Sequence, residues 1–385
     1  MADRFVASIT RFAPHFRSLT RCVFGQAETY LRGLVQAERK NMERMAEVVP
    51  ETDYQRLQHF LTESPWDHRG VMRQVAIEAD RLLGGLPGSC LLIDESSFVK
   101  KGKDSAGVAR QWCGRLGKLE NCQVGVFAAL SHGERHIPVD GRLYLPGEWV
   151  KDRQRCRKAG IPDADIVACS KAQHALAMVK QARADGMRFA WTGLDGGYGK
   201  EPWLLRALDA AGEIFVADIH KDQIIYPADP QPRIPEPRGG RGRRPARLQA
   251  QTAGIRVDKW LAQQPPTAWR RVVLRDSTCG KLTVEALNQR VWLWDNEEAA
   301  AHCWHLIVRR EIGAPNEIKF TLSNAAPETS LERLVFMQGQ RFWVERTFQD
   351  GKGTCGMADY QVRRWSGWHH HMALVMIAML FMVEE

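Results

Sequence analysis

The spacing of apolar residues predicts that the N-terminal region is helical. Between residues 1 and 85, apolar positions recur at intervals of three and four, as in Tyr30-Leu31-x2-Leu34-Val35 and Leu57-x2-Phe60-Leu61, which is the period of an amphipathic helix. The segment at 64–67 (Ser-Pro-Trp-Asp) breaks this period and predicts the cap of a further helix, Val71 to Leu83. A glycine-rich stretch at 84–88 marks a boundary, so we predict a small helical domain over residues 1–88.

After residue 88 the pattern changes to apolar runs of strand length that alternate with helical segments. The predicted elements are, in chain order, a strand from Cys90 to Phe98, a hairpin of strands 124–130 and 135–145, a helix at 170–185, a strand at 189–194, a helix at 203–211 and a strand at 214–218. Such alternation predicts an α/β domain in which helices flank a mixed sheet. Its first part is predicted over residues 89–221.

A second group of strand-like runs follows between residues 222 and 325. These runs alternate or are apolar throughout, and turn residues separate them. They are Arg270–Leu274, Lys281–Glu285, Arg290–Trp294, His305–Val308 and Ile318–Leu322. We therefore predict a mostly β insertion within the α/β domain, which then resumes over residues 326–385.

The C-terminal run Met372–Val383 is apolar but only 12 residues long, which is short of a membrane span. It predicts a buried core helix. The N-terminus carries several arginines without an extended apolar region, so no secretory signal is predicted. The nine cysteines are scattered without a Cys-x-x-Cys pair, which is typical of reduced, intracellular thiols. We expect a cytoplasmic protein that needs no membrane.

The chain of 385 residues carries a formal charge of +9 and has a pI near 9.2, a balance that favours a polyanionic partner. The loop 233–247 is rich in arginine, since it holds six arginines and one acid among Gly and Pro. This composition predicts a flexible, solvated loop. Its arginines, among them Arg238, Arg241, Arg243 and Arg244, can also neutralise DNA phosphates.

Three acidic residues stand in contexts that indicate a shared chemistry. Asp94 follows a buried apolar run and Asp195 ends the run 189–194, so both are predicted at the carboxyl ends of strands, where open α/β sheets place ligands. Glu345 is predicted on a helix, and its spacing places four polar residues on the same face. Those residues are Gln338, Arg341, Gln349 and Lys352. Three converging carboxylates suit hard cations, and flanking basic residues suit a phosphodiester.

The ordered set of motifs resembles the DDE transposases of bacterial insertion sequences, and more narrowly the group with a Tyr-x2-Arg-x3-Glu-x6-Lys signature. Arg341, Glu345 and Lys352 match that signature in residue and spacing, while Gln338 occupies the tyrosine position. The segments at 91–98, 193–199 and 363–370 are also typical of this group. The resemblance implies a ribonuclease-H-like core interrupted by the β insertion and preceded by a helical DNA-binding domain.

The same resemblance implies a function. Asp94, Asp195 and Glu345 would hold two Mg²⁺ ions, with Mn²⁺ as a substitute, for cleavage of inverted-repeat DNA ends and joining of the 3′ ends to target DNA. Arg341 and Lys352 would contact phosphates around the scissile bond. Gln338 would have a modest DNA-positioning role or contact nothing, and a tyrosine there would be tolerated. The partners implied by the resemblance are double-stranded DNA and a second copy of the chain, and the protein would be bacterial, nucleoid-associated and independent of a nucleotide cofactor.

Other chemistry-bearing residues have plainer interpretations. Trp292 and Trp294 share one face of a predicted strand and belong in a core, although the resemblance also allows one of them to hold an unstacked DNA base. Adjacent helical residues point about 100° apart, so the histidines at 369–371 are not expected to share a metal. The glycine-rich segment 193–199 lacks nucleotide-binding spacing. Glu95 and Asp350 are not expected to be ligands. The alternative functions are a non-catalytic, domesticated DNA-binding protein and a nuclease on the same fold.

Overall fold

The chain divides into two units in the computed structural model, which describes residues 2–17, 20–236, 246–277 and 280–385. Unit 1 comprises Met1–Ala190 and Phe342–Glu385, and unit 2 comprises Trp191–Arg341. Each unit contains strands and helices, and the polypeptide leaves unit 1 at residue 190 and returns to it at residue 342.

Helices fill the N-terminal region of unit 1, as the apolar period predicts. They are α1 (Ala2–Thr10), α2 (Phe24–Gln36), α3 (Met42–Val48), α4 (Tyr54–Thr62) and α5 (His68–Leu83). Asn41, Asp53 and Asp67 cap α3, α4 and α5 by accepting backbone N–H groups, which satisfies donors that a helix start leaves open. The cap predicted within residues 64–67 is confirmed at Asp67.

An antiparallel sheet follows in unit 1. Its strands are β1 (Cys90–Val99), β2 (Ala109–Cys113), β3 (Lys118–His132) and β4 (Arg135–Leu143). β1 pairs along one edge of β3, while β2 and β4 share the other edge. Gly133, with φ +59°, turns the chain between β3 and β4, because a left-handed residue closes such a hairpin without steric cost. The predicted hairpin is confirmed.

Short helices then lead into a longer one on the sheet. They are α6 (Gly147–Lys151), α7 (Arg153–Lys158) and α8 (Lys171–Ala184). Ser170 and Gln173 form a capping box at the start of α8, which pairs two backbone donors reciprocally. Met178 and Val179 are among the residues that α8 buries, and the helix packs against β3.

Unit 2 holds one large mixed sheet and its covering helices. Its elements are β5 (Trp191–Leu194), α9 (Gly196–Gly199), α10 (Pro202–Ala210), β6 (Phe215–Ile219), β7 (Ile224–Ile225), β8 (Ile255–Arg256), α11 (Val257–Leu261), β9 (Arg270–Ser277), β10 (Gly280–Leu293), β11 (His302–Glu311), β12 (Ala314–Ser323) and α12 (Leu331–Gln340). β5 and β6 pair in parallel, and β12, β11, β10 and β9 extend the sheet from β6 in antiparallel pairs.

The strands of the predicted insertion therefore continue the sheet of β5 and β6. Leu334 and Val335 of α12 pack on Val272, Val284 and Ile307, forming one apolar core. The runs predicted as separate strands at 281–285 and 290–294 form the single strand β10. That prediction of two strands is wrong, because β11 pairs with β10 without a break from Val284 to Leu293.

The chain closes in unit 1 with α13 (Phe342–Gly353) and α14 (Trp365–Glu384). Among the described helices, α14 is the one long and apolar enough to cross a membrane by length and composition, but 83% of its apolar window is buried in the structure. It packs against α2, α4, α5 and β4. This packing is that of the core helix predicted from residues 372–383.

The mixed α/β class predicted from the sequence, with a large mixed sheet and flanking helices, is confirmed. Helical, strand and insertion segments fall in the predicted order. The boundaries of the predicted domains at residues 88, 221 and 325 stay a prediction, since the contacts of the chain group it differently, at residues 190 and 341.

Candidate active site

Asp94 lies on β1, with its side chain 9% exposed. The preceding residues Leu91, Leu92 and Ile93 are fully buried, which explains the continuous apolar run. Its Oδ1 atom accepts the backbone N–H of Glu95 at 2.7 Å. The prediction that Asp94 ends its strand is wrong, because pairing of β1 with β3 continues through Val99. Asp94 is the fifth residue of a ten-residue strand.

Glu95 and Asp350, the two acids that are not expected to be metal ligands, have partners of their own in unit 1. Glu95 forms an ion pair with Lys171 at 2.6 Å. Asp350 receives His136 Nε2 at 3.1 Å and pairs with Arg346 at 3.2 Å. These partners account for both carboxylates without a metal.

Asp195 follows directly after β5 in unit 2, as predicted. It is also the N-cap of α9, since its Oδ1 accepts the N–H groups of Gly197 at 2.9 Å and Tyr198 at 3.2 Å. The side chain is partly exposed. Two backbone donors on one oxygen hold the carboxylate in a fixed orientation, so a capping role and a ligand role are compatible at this position.

Glu345 lies in the first turn of α13 in unit 1, and its side chain is exposed. Gln349 and Lys352 share its helix face, and α13 packs against β1. The Lys352 ammonium donates to the Ser97 carbonyl of β1 at 3.4 Å. Burial lowers the pKa of Lys352, and the charge of Arg115 lowers it further. The structure therefore brings Lys352 to the strand that carries Asp94.

The predicted polar stripe from Gln338 to Lys352 is wrong. The helix is interrupted at Arg341, which ends α12 before α13 begins, and the boundary between the units falls at the same residue. Gln338 is 3% exposed, and its amide donates to Thr321 Oγ1 at 2.6 Å, while its Oε1 atom has no partner. It lies inside unit 2, so the expectation that it borders DNA or contacts nothing is corrected.

Arg341 is tied to Asp218, a residue that the sequence analysis missed. Its Nε lies 2.9 Å from Asp218 Oδ2, and Thr321 donates to Asp218 Oδ1 at 2.6 Å. Arg309 on β11 is 7% exposed, and burial lowers its pKa while the charge of Asp218 raises it. Asp218 lies near the end of a predicted strand, as Asp195 does, so the same sequence signal could have identified it.

The aromatic and loop predictions have different outcomes. Trp294 is 9% exposed and donates to the Glu298 carbonyl at 2.7 Å, which suits a core residue. Trp292 is partly buried, and its backbone bridges to Tyr226. The predicted phosphate contacts in the basic loop lie outside the described residues. They are Arg238, Arg241, Arg243 and Arg244.

The three adjacent histidines of α14 are buried and bond to separate groups in unit 1. His369 contacts the Trp365 carbonyl, and His370 contacts the carbonyls of Leu61 and Trp66. His371 contacts the Tyr30 hydroxyl and the Gly356 carbonyl. Because these partners differ, each ring acts as a packing and hydrogen-bonding group of the helical core.

The candidate metal ligands are divided between the units. Asp94 and Glu345 belong to unit 1, and Asp195 belongs to unit 2. Within the described residues of either unit alone, no three His, Cys, Asp or Glu side chains form a group able to hold a metal. The donors nevertheless suit a hard cation, because all three predicted ligands are carboxylates and such cations prefer oxygen.

Comparison with known proteins gives a family match. The family model described as DDE superfamily endonuclease matches residues 11–281, more than half of the chain. This span includes Asp94 and Asp195 and ends before Glu345. A probable transposase for insertion sequence element IS701 from Microchaete diplosiphon is 29% identical over 170 residues. The alignment covers 42% of this chain and 40% of that relative, so the chain spans less than half of its length.

Two solved structures have distant similarity to the chain. A piggyBac transposase synaptic complex with hairpin DNA superposes with a TM-score of 0.44 and 9% identity, covering 99% of this chain and 72% of the other. The NurA nuclease from Sulfolobus solfataricus gives a TM-score of 0.28 and 10% identity, covering 73% and 86%. Scores this low support no inference about the chain.

Proposed function

The chain belongs to the DDE superfamily endonucleases, and from this premise we propose that it is a metal-dependent DNA transposase. It binds the inverted-repeat ends of its insertion sequence, cleaves the phosphodiester backbone and joins the 3′ ends to target DNA. The observation that carries the proposal is the family match across Asp94 and Asp195. The likeness to a probable insertion-sequence transposase supports it over part of the chain.

Asp94, Asp195 and Glu345 are the proposed ligands of two Mg²⁺ ions, which Mn²⁺ can replace. Such ions, when bound, lower the pKa of water and stabilise a leaving oxygen. The protein's part is to hold its carboxylates in place. A paired strand fixes the backbone of Asp94, and two N–H groups fix the carboxylate of Asp195. Ligands held in this way need little reorganisation.

Lys352 and Arg341 are the proposed phosphate contacts. Lys352 is partly buried against β1, where an ammonium attracts a phosphate more strongly than in bulk water. Asp218 orients the guanidinium of Arg341, so a phosphate has to share that guanidinium with Asp218. Phosphate contacts of this kind position the DNA and carry no sequence information.

The remaining DNA contacts and the oligomeric state follow from the same proposal. The basic loop that holds Arg238, Arg241, Arg243 and Arg244 adds charge neutralisation, and Trp292 or Trp294 is the candidate for stacking on an unpaired base. Trp294 is the weaker candidate, because its indole is already engaged inside unit 2. Two DNA ends are joined together, so the working form is a homodimer on paired ends, in the bacterial cytoplasm at the nucleoid.

A plasmid assay tests the proposal. The genomic DNA that flanks the gene on both sides is cloned around a marker, and purified protein is added with Mg²⁺ and a target plasmid. The proposal expects specific cleavage at repeat boundaries and covalent transfer of the marker to the target. Cleavage without joining would show that the protein is a nuclease instead. Specific binding without cleavage would show that it is a domesticated DNA-binding protein.

A further inference from the structure

The β2–β3 ribbon, residues 109–121, is paired as two strands over most of its length. β1 pairs with β3 from Cys122 onward and β4 pairs from Gly125 onward, whereas residues 118–121 pair with β2 alone among the described strands. The chain reverses at 114–117, where the N–H groups of Leu116 and Gly117 both donate to the Cys113 carbonyl at 3.0 and 2.9 Å. One side of the ribbon is anchored to unit 1, because Cys113 is fully buried and the Asn121 carbonyl accepts the N–H of Lys100 at 2.9 Å.

One face of the ribbon is apolar and exposed to solvent. Trp112 pairs directly with Leu119, and their exposed fractions are 53% and 56%. Leu116 in the turn is 45% exposed. Directly opposed side chains of an antiparallel pair contact each other, so Trp112 and Leu119 form one continuous patch. Contiguous exposed apolar groups of this kind mark a contact surface.

Basic residues outnumber acidic ones on the ribbon and in the segment that precedes it. The segment 100–121 has six Lys or Arg residues and two acids, Asp104 and Glu120. The exposed basic residues without a carboxylate at ion-pair distance, among the residues the structure describes, are Lys101, Lys103, Arg110 and Arg115. Lys118 pairs with Glu120 at 3.5 Å, and Asp104 lies 3.9 Å from Arg363. The ribbon and the segment before it therefore carry a net positive charge.

The ribbon also adjoins the strand and helix of the candidate active site. Cys113 Sγ lies 3.2 Å from Ser97 Oγ on β1. The carbonyl of the same Ser97 accepts the ammonium of Lys352 at 3.4 Å, and the charge of Arg115 acts on Lys352. A polyanion bound at Lys352 would therefore lie close to the ribbon.

We propose that the β2–β3 ribbon binds DNA, with the Trp112–Leu119 patch against bases or sugars and the Lys and Arg side chains of the ribbon and the segment before it on phosphates. The inference rests on the proposed function, since it assigns a further contact to the same substrate. Aromatic rings stack on every base, and cations supply the backbone attraction. A second copy of this chain fits the patch less well, because it would bring the same positive charge against it.

The test measures DNA affinity of the full-length protein by fluorescence anisotropy in EDTA, so that cleavage does not interfere. The probe is a fluorescein-labelled duplex with a single-stranded 3′ tail. Trp112→Ala is expected to weaken binding about tenfold, and Trp112→Phe to retain most of the affinity. Arg115→Gln should reduce the slope of log affinity against log salt by about one. The matched controls are Val167→Ala, at an apolar residue that is 53% exposed, and Lys180→Gln on α8.

The outcomes separate this inference from the proposed function. If the wild-type protein transposes and Trp112→Ala binds the probe as tightly as Val167→Ala does, the ribbon is not a DNA contact. If Trp112→Ala instead abolishes a dimer seen by sedimentation and leaves affinity unchanged, the patch is a self-association surface and the inference fails. If the wild-type protein binds DNA through the ribbon but never cuts it, the inference holds and the proposed function fails.

Discussion

Gln338 is a buried side chain that is connected to Arg341 through two other residues. The amide donates to Thr321, which donates to Asp218, which pairs with Arg341. This chain of bonds links a residue inside unit 2 to a predicted phosphate contact. Hydrogen bonds in a buried network hold the side chains they join in a fixed orientation, although Gln338 Oε1 takes no part in this network. Gln338 thus influences Arg341 through Thr321 and Asp218.

Gln338→Tyr is predicted to destabilise the protein, against the expectation that the family's tyrosine would be tolerated. The side chain at 338 is 3% exposed, so the larger ring overpacks its surroundings and costs about 1–3 kcal/mol of unfolding free energy. Urea unfolding followed by circular dichroism measures the change. Gln349→Tyr on the exposed face of α13 is the control and should be neutral. Equal unfolding midpoints for both variants would show that the interior of unit 2 has room for the ring.

Lys352→Met is predicted to lower the rate of DNA cleavage about a hundredfold while the fold stays intact, because a preorganised positive charge near the reacting phosphate is lost. Arg346→Gln on the same helix is the matched control. Its guanidinium pairs with Asp350 in a largely exposed position, and such pairs contribute little. The single-turnover cleavage rate is measured for both. A Lys352→Met enzyme as fast as the Arg346→Gln enzyme would remove Lys352 from the site.

At the scale of elements, α14 holds the N-terminal helices to the sheet of unit 1. Its buried histidines bond to backbone and side chains of α2, α4 and the segment before α5. The ring of His370 also stacks on Trp66 at 4.0 Å. These rings must stay neutral to remain buried without a counter-charge, since burial penalises the charged form.

The unfolding free energy is predicted to fall as the pH drops below about 6.5. Burial lowers the pKa of His371 to about 3 and of His370 to about 4. It also lowers the pKa of His68 to about 3, and this first residue of α5 has its ring beside those of His369 and His370. The unfolded chain binds protons near pH 6.5, whereas the folded chain does so only near pH 3–4. This stabilisation is therefore complete above pH 6.5 and is lost as the pH falls toward 4. Each ring contributes up to about 1.4 kcal/mol per pH unit in that window.

Urea titrations at a series of pH values measure this effect, with His370→Gln as the comparison. The variant should be less stable at pH 7 and should have a shallower dependence on pH. A wild-type stability that stays constant between pH 7 and pH 4.5 would contradict the assignment of these histidines as neutral core groups.

At the scale of the whole molecule, the positive net charge predicts that DNA binding weakens steeply with salt. A protein that neutralises six or more phosphates loses about a thousandfold in affinity between roughly 50 and 200 mM salt, because condensed counterions are released. Anisotropy titrations with unlabelled competitor DNA, repeated at a series of salt concentrations, measure the slope of log affinity against log salt. An affinity that does not change with salt would show that the +9 charge takes no part in binding.

Much of the fold could be predicted from the sequence because helices and strands leave local periodicities. The capped helix α5, the β3–β4 hairpin and the strand before Asp195 all follow from such patterns. The ion pair of Arg341 and the burial of Gln338 could not, because their partners Asp218 and Thr321 lie on other elements of the fold. The candidate acids were found by local context. Their proposed role as shared metal ligands depends on long-range packing, which no local pattern contains.

The central claim is that the carboxylates of Asp94, Asp195 and Glu345 drive cleavage of DNA. The most direct measurement compares the Asp94→Asn and Glu95→Gln variants. Their Mg²⁺-dependent cleavage of the genomic DNA that flanks the gene is measured, together with their binding to the same DNA. The adjacent Glu95 is engaged by Lys171, so its variant controls for loss of a charge on the same strand. We predict that Asp94→Asn binds DNA but cuts it about a thousandfold more slowly, while Glu95→Gln cuts at nearly the wild-type rate. Full cleavage by Asp94→Asn would contradict the account.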